Sequence, residues 1–401
     1  MSGMPFVLVT GMFRSGTTLM ARMLDAHPCV SFASDPYRPM FNDLRDRIAI
    51  GNGLASPDSL QSPLSSYFCD ETERRIMKSV RESNLSVPIP AEDLRRLVPV
   101  LIERARLFVP KIAERMHEIG GGTYDEIYSS MMDLVRRTYG KQGARIVGHK
   151  EVWCTEFVRP LARSFPDMKF ILMVRDPRAV FASNRLQARY PWLFLVRQWR
   201  KLAALTWIFS HDADLRESVL VVRYEELIAD CESTARRICN FLDVDFSPDM
   251  IDGGGFRDGW GNPWRQNSVY SGASSVITNR LAEKWREVLT PEEVRFVETL
   301  CSPDMQVFGY EPSCDSTDEI PLSDVLNPPI VPPDELADWI RKYACTDRTS
   351  NVVEMMKEVL RKNMLLLEED ASSSLDETVV EGLFMSRSYL NQCLRRRVSS
   401  C

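Results

Sequence analysis

An eight-residue loop, Gly11-Met12-Phe13-Arg14-Ser15-Gly16-Thr17-Thr18, constrains the fold more than any other feature of the chain. It stands between a short apolar run, Phe6–Thr10, and a segment with helical spacing at Leu19, Met20, Met23 and Leu24. An apolar run, a glycine-containing turn and an amphipathic helix are the opening of an α/β unit. His27-Pro28 ends that helix, and a second strand is expected near Cys29–Phe32. Apolar runs at Arg145–Gly148, Lys169–Val174 and Val219–Val222 read as three more strands. The first two precede helical segments, so the strands are expected to be parallel.

From Phe41 to about residue 140 no strand pattern stands out, and Ala91–Glu118 and Tyr124–Tyr139 have the spacing of amphipathic helices. Residues 41–140 are therefore expected to form a helical insertion. After Tyr310-Glu311-Pro312 the texture changes. Pro321, Pro328, Pro329, Pro332 and Pro333 mark 313–333 as a linker. Helices are expected at Asp334–Tyr343, Asn351–Leu367 and Asp376–Arg396, which divides the chain into a domain over 1–312 and an extension over 334–401. Val352, Met355, Met356, Val359, Leu360, Met364 and Leu367 form an apolar stripe expected to bury against the core or a second subunit, which leaves a homodimer open.

A net charge of -6 argues against bulk nucleic-acid binding, which favours a basic face. The apolar runs are too short to span a bilayer, and the first ten residues lack the basic region of a secretory signal, so a cytoplasmic location is expected. Ten cysteines without a Cys-x-x-Cys pair argue against zinc and against a disulfide scaffold.

The loop has the composition of an anion site. Backbone N–H groups at a helix start converge on a concavity, and the helix dipole adds partial positive charge. Gly16 allows close approach of an anion, Thr17 and Thr18 add hydroxyl donors, and Arg14 adds a planar cationic fork. The plain alternative is a strand-to-helix turn capped by Ser15 and Thr17. A Walker A motif ends in Gly-Lys-Ser/Thr, whereas here Thr17 follows Gly16 and the cation stands earlier, at Arg14. A second strand-to-helix junction reads Val174-Arg175-Asp176-Pro177-Arg178. Asp176 suits a cap and Pro177 the first helical position. Arg175 then lies at the carboxyl end of a strand, where open α/β sheets bind ligands, and Ser183 is expected two turns into the helix. This pair could hold a second phosphate.

Together these residues resemble the sulfotransferases that use 3′-phosphoadenylyl sulfate (PAPS). Arg14-Ser15-Gly16-Thr17-Thr18 is similar to their 5′-phosphosulfate loop, and Arg175 with Ser183 is similar to their 3′-phosphate site. Arg14–Pro28, with Leu24-Asp25-Ala26-His27-Pro28, looks most like the tyrosylprotein and carbohydrate branches. Lys150 looks like the lysine of the family's Lys-acid-Pro strand end, although Glu151-Val152 departs from that pattern. Tyr224-Glu225-Glu226-Leu227 resembles the family's Tyr-Glu-x-Leu. Gln266-Asn267-Ser268, Trp285 and Gly309-Tyr310 resemble its C-terminal signature, with Asn267 and Ser268 as nucleotide contacts. The resemblance covers residues 5–312. It implies an α/β fold with a three-layer P-loop-like core and a parallel sheet. It also implies PAPS as donor, PAP as product, an acceptor with a hydroxyl group (glycan, small-molecule or tyrosyl) and no metal.

Such chemistry needs fixed cations, for which Arg14 and Lys150 are candidates, and a general base for the acceptor hydroxyl. Asp35 falls, counting from Arg14, where the tyrosylprotein branch carries its catalytic glutamate. Glu151 and His149 are the other candidates, although His149 alternates with Lys150 on a strand and would face the opposite way. Among the tryptophans, Trp260 and Trp264 in the Gly253–Arg265 loop suit an acceptor surface, whereas Trp199 and Trp207 read as core. Two other readings remain open: a P-loop kinase or NTPase, and a catalytically silent PAP-binding protein.

Overall fold

Buried parallel strands read as continuous apolar runs, and Phe6–Gly11 and Lys169–Val174 are such runs at the middle of the sheet. In the computed structural model, which describes residues 4–56, 71–264, 282–313, 319–341, 347–367 and 372–398, the sheet has five strands. They are β1 (Phe6–Gly11), β2 (Val30–Ser34), β3 (Ile146–Lys150), β4 (Lys169–Val174) and β5 (Val219–Arg223). Their order is β2-β3-β1-β4-β5 and every pairing is parallel. The protein is an α/β fold, as expected. The first helix, α1 (Thr17–Ala26), packs on β1, β2 and β3.

Several boundaries differ from the expectation. β2 starts one residue later than Cys29 and runs on to Ser34, and β3 runs on to Lys150. Polar residues end both strands, so apolar runs alone stopped short of them. The segment 91–118 is not one helix. It is α2 (Ala91–Arg106), a single turn at Pro110–Ala113 and a 3-10 turn at Met116–Glu118. Pro110 disfavours the helical conformation at the preceding residue, and Val109 lies outside it at φ -145°, ψ 66°. Tyr124–Tyr139 forms a helix, α3, over the expected residues. The helix after Pro177 stops at Ala182, and Ser183 is its C-terminal cap rather than a residue two turns inside it. Asn184 and Arg185, both left-handed, break the chain there.

By compactness the chain divides into two units. One takes the described residues within 1–63, 75–174 and 209–279, and the other those within 64–74, 175–208 and 280–401. In the second unit the expected helix at Asn351–Leu367 is α4 (Arg348–Met364). Its face differs from the apolar stripe read in the sequence. Met355 and Met364 are buried, but so are Glu358, Arg361 and Lys362, while Met356 and Leu360 are about half exposed. Buried ion pairs set this face: Glu358 bonds Arg197 and Arg200, and Arg361 bonds Asp304. The expected helix at Asp376–Arg396 is two helices, Glu377–Phe384 and Arg387–Val398, divided at the left-handed Met385.

Candidate active site

The loop between β1 and α1 is held by its own backbone. Ser15 donates to the Met12 carbonyl through both its N–H (3.1 Å) and its hydroxyl (2.5 Å). Its side chain is thus committed to closing the turn and does not cap the helix. Gly16 occupies the cap position at φ 91°, with no side-chain hydrogen bond to the helix start. The first N–H groups of a helix have no intrahelical acceptor, and an uncapped start of this kind suits an anion. Arg14 is also left-handed, at φ 69°.

Tyr224, which follows β5, lies against this turn. A Cβ added to Gly16 would stand 2.4 Å from the Tyr224 ring. Gly16→Ala therefore has to displace that ring and hold an L-residue in the left-handed region, the latter costing about 1–2 kcal/mol. Denaturant unfolding should show at least this loss, and stability equal to the wild type would contradict the packing.

The carboxyl ends of β2 and β3 bring three further candidates together. Ser34 is in register with Lys150, and the Asp35 N–H donates to the Lys150 carbonyl at 2.8 Å. The Lys150 ammonium donates to the Asp35 carboxylate, and it lies 3.5 Å from the Thr18 hydroxyl. Lys150 thus joins the loop's helix to Asp35, and all three groups are in one unit.

Glu151 sits behind this pair, fully buried, accepting the Arg38 N–H at 3.0 Å. Burial, and next the Asp35 carboxylate, push its pKa up to about 7. It is therefore a buried group rather than part of a surface ion pair. His149 points to the other face, as strand alternation requires. It pairs with the Tyr128 hydroxyl at 2.9 Å and packs on Tyr37 and Phe41. Burial takes its pKa down to about 3, so the ring is neutral.

Arg104, near the end of α2, also belongs to this constellation, and sequence reasoning missed it. Its Nε donates to the Asp35 carbonyl at 3.1 Å, and its outer nitrogen lies 4.0 Å from the Asp35 carboxylate and 3.9 Å from Glu151. Asp35 is left-handed, at φ 56°, so this bond fixes a backbone conformation that non-glycine residues seldom adopt. Nothing in the local spacing of α2 singles Arg104 out, because its partner is 69 residues away.

A cavity of about 650 Å³ opens on Asp35. Thr18 and Asp35 form part of its wall, Phe108 adds an aromatic surface, and Trp260 and Trp264 come from the loop that follows the 3-10 turn at Gly253–Gly255. Of the three candidate bases, Asp35 is the one that lines it. Trp260 is 58% exposed. Gly259 seats the loop: a Cβ there would stand 1.6 Å from the Phe108 carbonyl oxygen.

In the second unit, Asp176 caps the helix after β4 by accepting the Arg178 N–H at 2.8 Å. The Arg175 carbonyl accepts the Trp199 indole N–H at 2.8 Å, and Trp199 is buried. Trp285 and Tyr310 are buried as well. Asn267 and Ser268 lie outside the described residues. Among the described residues, no group of three or more His, Cys, Asp or Glu is placed to hold a metal ion, and no helix is long and apolar enough to cross a membrane.

Comparison with known proteins fits this picture. Carbohydrate sulfotransferase 3 of Tetronarce californica is 27% identical over 185 residues, covering 39% of this chain and 39% of that protein. Protein-tyrosine sulfotransferase 1 of Danio rerio is 22% identical over 256 residues, covering 61% of this chain and 72% of that protein. The sulfotransferase domain from the Synechococcus PCC 7002 olefin synthase superposes with a TM-score of 0.42 at 17% identity, covering 77% of this chain and 94% of that domain. The chain spans less than two fifths of the length of the carbohydrate sulfotransferases it matches, 39% and 35% for two of them. The sequence profile of the Sulfotransferase family matches residues 5–248, more than half of the chain, and the chain belongs to that family.

Proposed function

We propose that the protein transfers a sulfuryl group from PAPS to an acceptor hydroxyl. The observation that carries this reading is the buried Lys150–Asp35 pair, set beside Thr18 of the β1–α1 loop, with Asp35 and Thr18 both lining the cavity. The donor, when bound, supplies the sulfuryl group and a phosphate leaving group. The cradle fits such an anion: an uncapped helix start, two left-handed residues at Arg14 and Gly16, and Tyr224 closing one side. The chain's own residues account for the rest. Arg14 and the loop N–H groups hold the phosphosulfate, and Lys150 offers positive charge where negative charge develops. Asp35 takes the proton of the acceptor hydroxyl at its carboxylate. Arg104 and Lys150 hold that carboxylate in place. Arg175 and Ser183, by motif resemblance, contact the 3′-phosphate.

The test is transfer of label from radiolabelled PAPS to a panel of phenols, alcohols and sugars, with thermal unfolding as a second readout. A ligand that binds only the native state stabilises it by about 2.7 kcal/mol at one hundred times its Kd. PAP should raise the melting temperature and ATP with Mg²⁺ should not. Stabilisation by ATP and not by PAP would favour the kinase reading, and PAP stabilisation without transfer to any acceptor would favour a silent binder.

A further inference from the structure

Arg22 is the cation of this cavity that the reaction as proposed does not use. It stands four residues after Thr18 on α1, so both side chains lie on one helix face, and both line the cavity. Its Nε is buried with no hydrogen-bond partner, and no ion pair to it is present among the described residues. The nearby carboxylates have other partners, Asp25 standing 4.0 Å from the Lys141 ammonium. Asp258 accepts the N–H groups of Trp260 and Asn262, both at 2.9 Å, and Asp35 is paired with Lys150. Burial holds the Arg22 guanidinium below its ordinary pKa, against the weaker pull of Asp25, Asp258 and Asp35. Arg22 is half-buried; a guanidinium partly removed from water with its Nε unpartnered is costly, and a ligand anion relieves that cost.

We infer that Arg22 binds an anionic group, a carboxylate or a sulfate ester, carried by the acceptor. The inference rests on the sulfotransferase reading for the reaction but not for the binding. The planar fork suits two oxygens of such a group. One helical turn separates Arg22 from Thr18, roughly 5–6 Å along the axis. The preferred acceptor therefore carries its anion within a few bonds of the hydroxyl that reacts. Phe108, Trp260 and Trp264 supply apolar faces between and around the two polar ends.

Matched probes test this on the full chain: 4-hydroxyphenylacetate against its amide, methyl glucuronide against methyl glucoside, and a sulfated against an unsulfated methyl glucoside. Calorimetry on the PAP-loaded protein reads binding, and labelled PAPS reads transfer. The wild type should favour the anionic member of at least one pair by roughly ten- to a hundredfold, the range of a charge-assisted hydrogen bond. The carboxylate and sulfate pairs show which anion the fork takes. Arg22→Met should bring that ratio close to one, and Arg22→Lys should restore part of it. Anion-dependent binding without transfer would support the Arg22 contact while sinking the transferase reading. Equal or better binding of every neutral member overturns the proposal. So does an Arg22→Met protein that keeps the wild-type ratio, or one that loses PAP affinity in step with acceptor affinity, because Arg22 would then be a donor contact.

Discussion

Asp35→Asn is expected to lower kcat for sulfuryl transfer by roughly 10²–10⁴, the range for loss of a general base. Asparagine keeps the size and one acceptor oxygen for Lys150 but cannot take a proton from a hydroxyl. The geometry separates Asp35 from the other two candidates. His149 is directed away and bonded to Tyr128. Glu151, raised to about 7, holds its proton up to neutral pH and lies fully buried behind the pair. That rise comes second from the Asp35 carboxylate, so Asp35→Asn should let Glu151 ionise at lower pH. A pH titration of the variant by carboxyl NMR would read this directly. Removing a carboxylate from a buried pair also destabilises the fold, so turnover is to be compared on protein that still shows the PAP-dependent rise in melting temperature. An Asp35→Asn protein with wild-type kcat would move the role to Glu151.

How much of this was legible in the sequence depends on how far apart the interacting residues are. Strands β1 and β4 were visible because a strand buried on both faces must be apolar throughout, as Phe6–Gly11 and Lys169–Val174 nearly are. The same rule hid the ends of β2 and β3, where Ser34 and Lys150 are polar at the edge that carries the site and His149 bonds Tyr128 on the other face. The β1–α1 loop could be read for its chemistry because its residues are contiguous. Its cap could not, since only the fold shows that the Ser15 hydroxyl turns back to Met12. Lys150 and Asp35, 115 residues apart, each stand out only by motif resemblance, and no periodicity pairs them. Arg104 carried no local mark at all. The cavity wall joins Phe108 to Trp260 and Trp264, and the sequence offered only their types.

The face of α4 shows where a periodicity argument fails, and it carries the second large effect. Apolar spacing favoured burial of Met356 and Leu360, yet the buried face holds Glu358, fully paired: Arg197 Nε at 2.6 Å, and Arg200 at 2.6 and 3.1 Å. The arginines beside it hold its carboxyl well below the usual range although burial alone would raise it. Glu358→Ala is expected to cost about 3–5 kcal/mol, the loss on removing one partner of a buried ion pair. Arg197 would keep Glu354 at 2.6 Å and Arg200 the Leu300 carbonyl at 2.9 Å, but both would lose the buried carboxylate between them. Ending the chain at Pro312 removes the same carboxylate and should carry at least this loss. The sign with pH follows from the depressed value: the pair's contribution is present above the unfolded carboxylate pKa, about 4.3, and falls away as pH drops towards the folded one. Denaturant unfolding of wild type and Glu358→Gln between pH 7 and pH 3 tests this. The stability gap between them should narrow as the solution is acidified, and a gap constant across that range, or a Glu358→Gln protein as stable as the wild type at pH 7, would mean that the two arginines do not depend on Glu358.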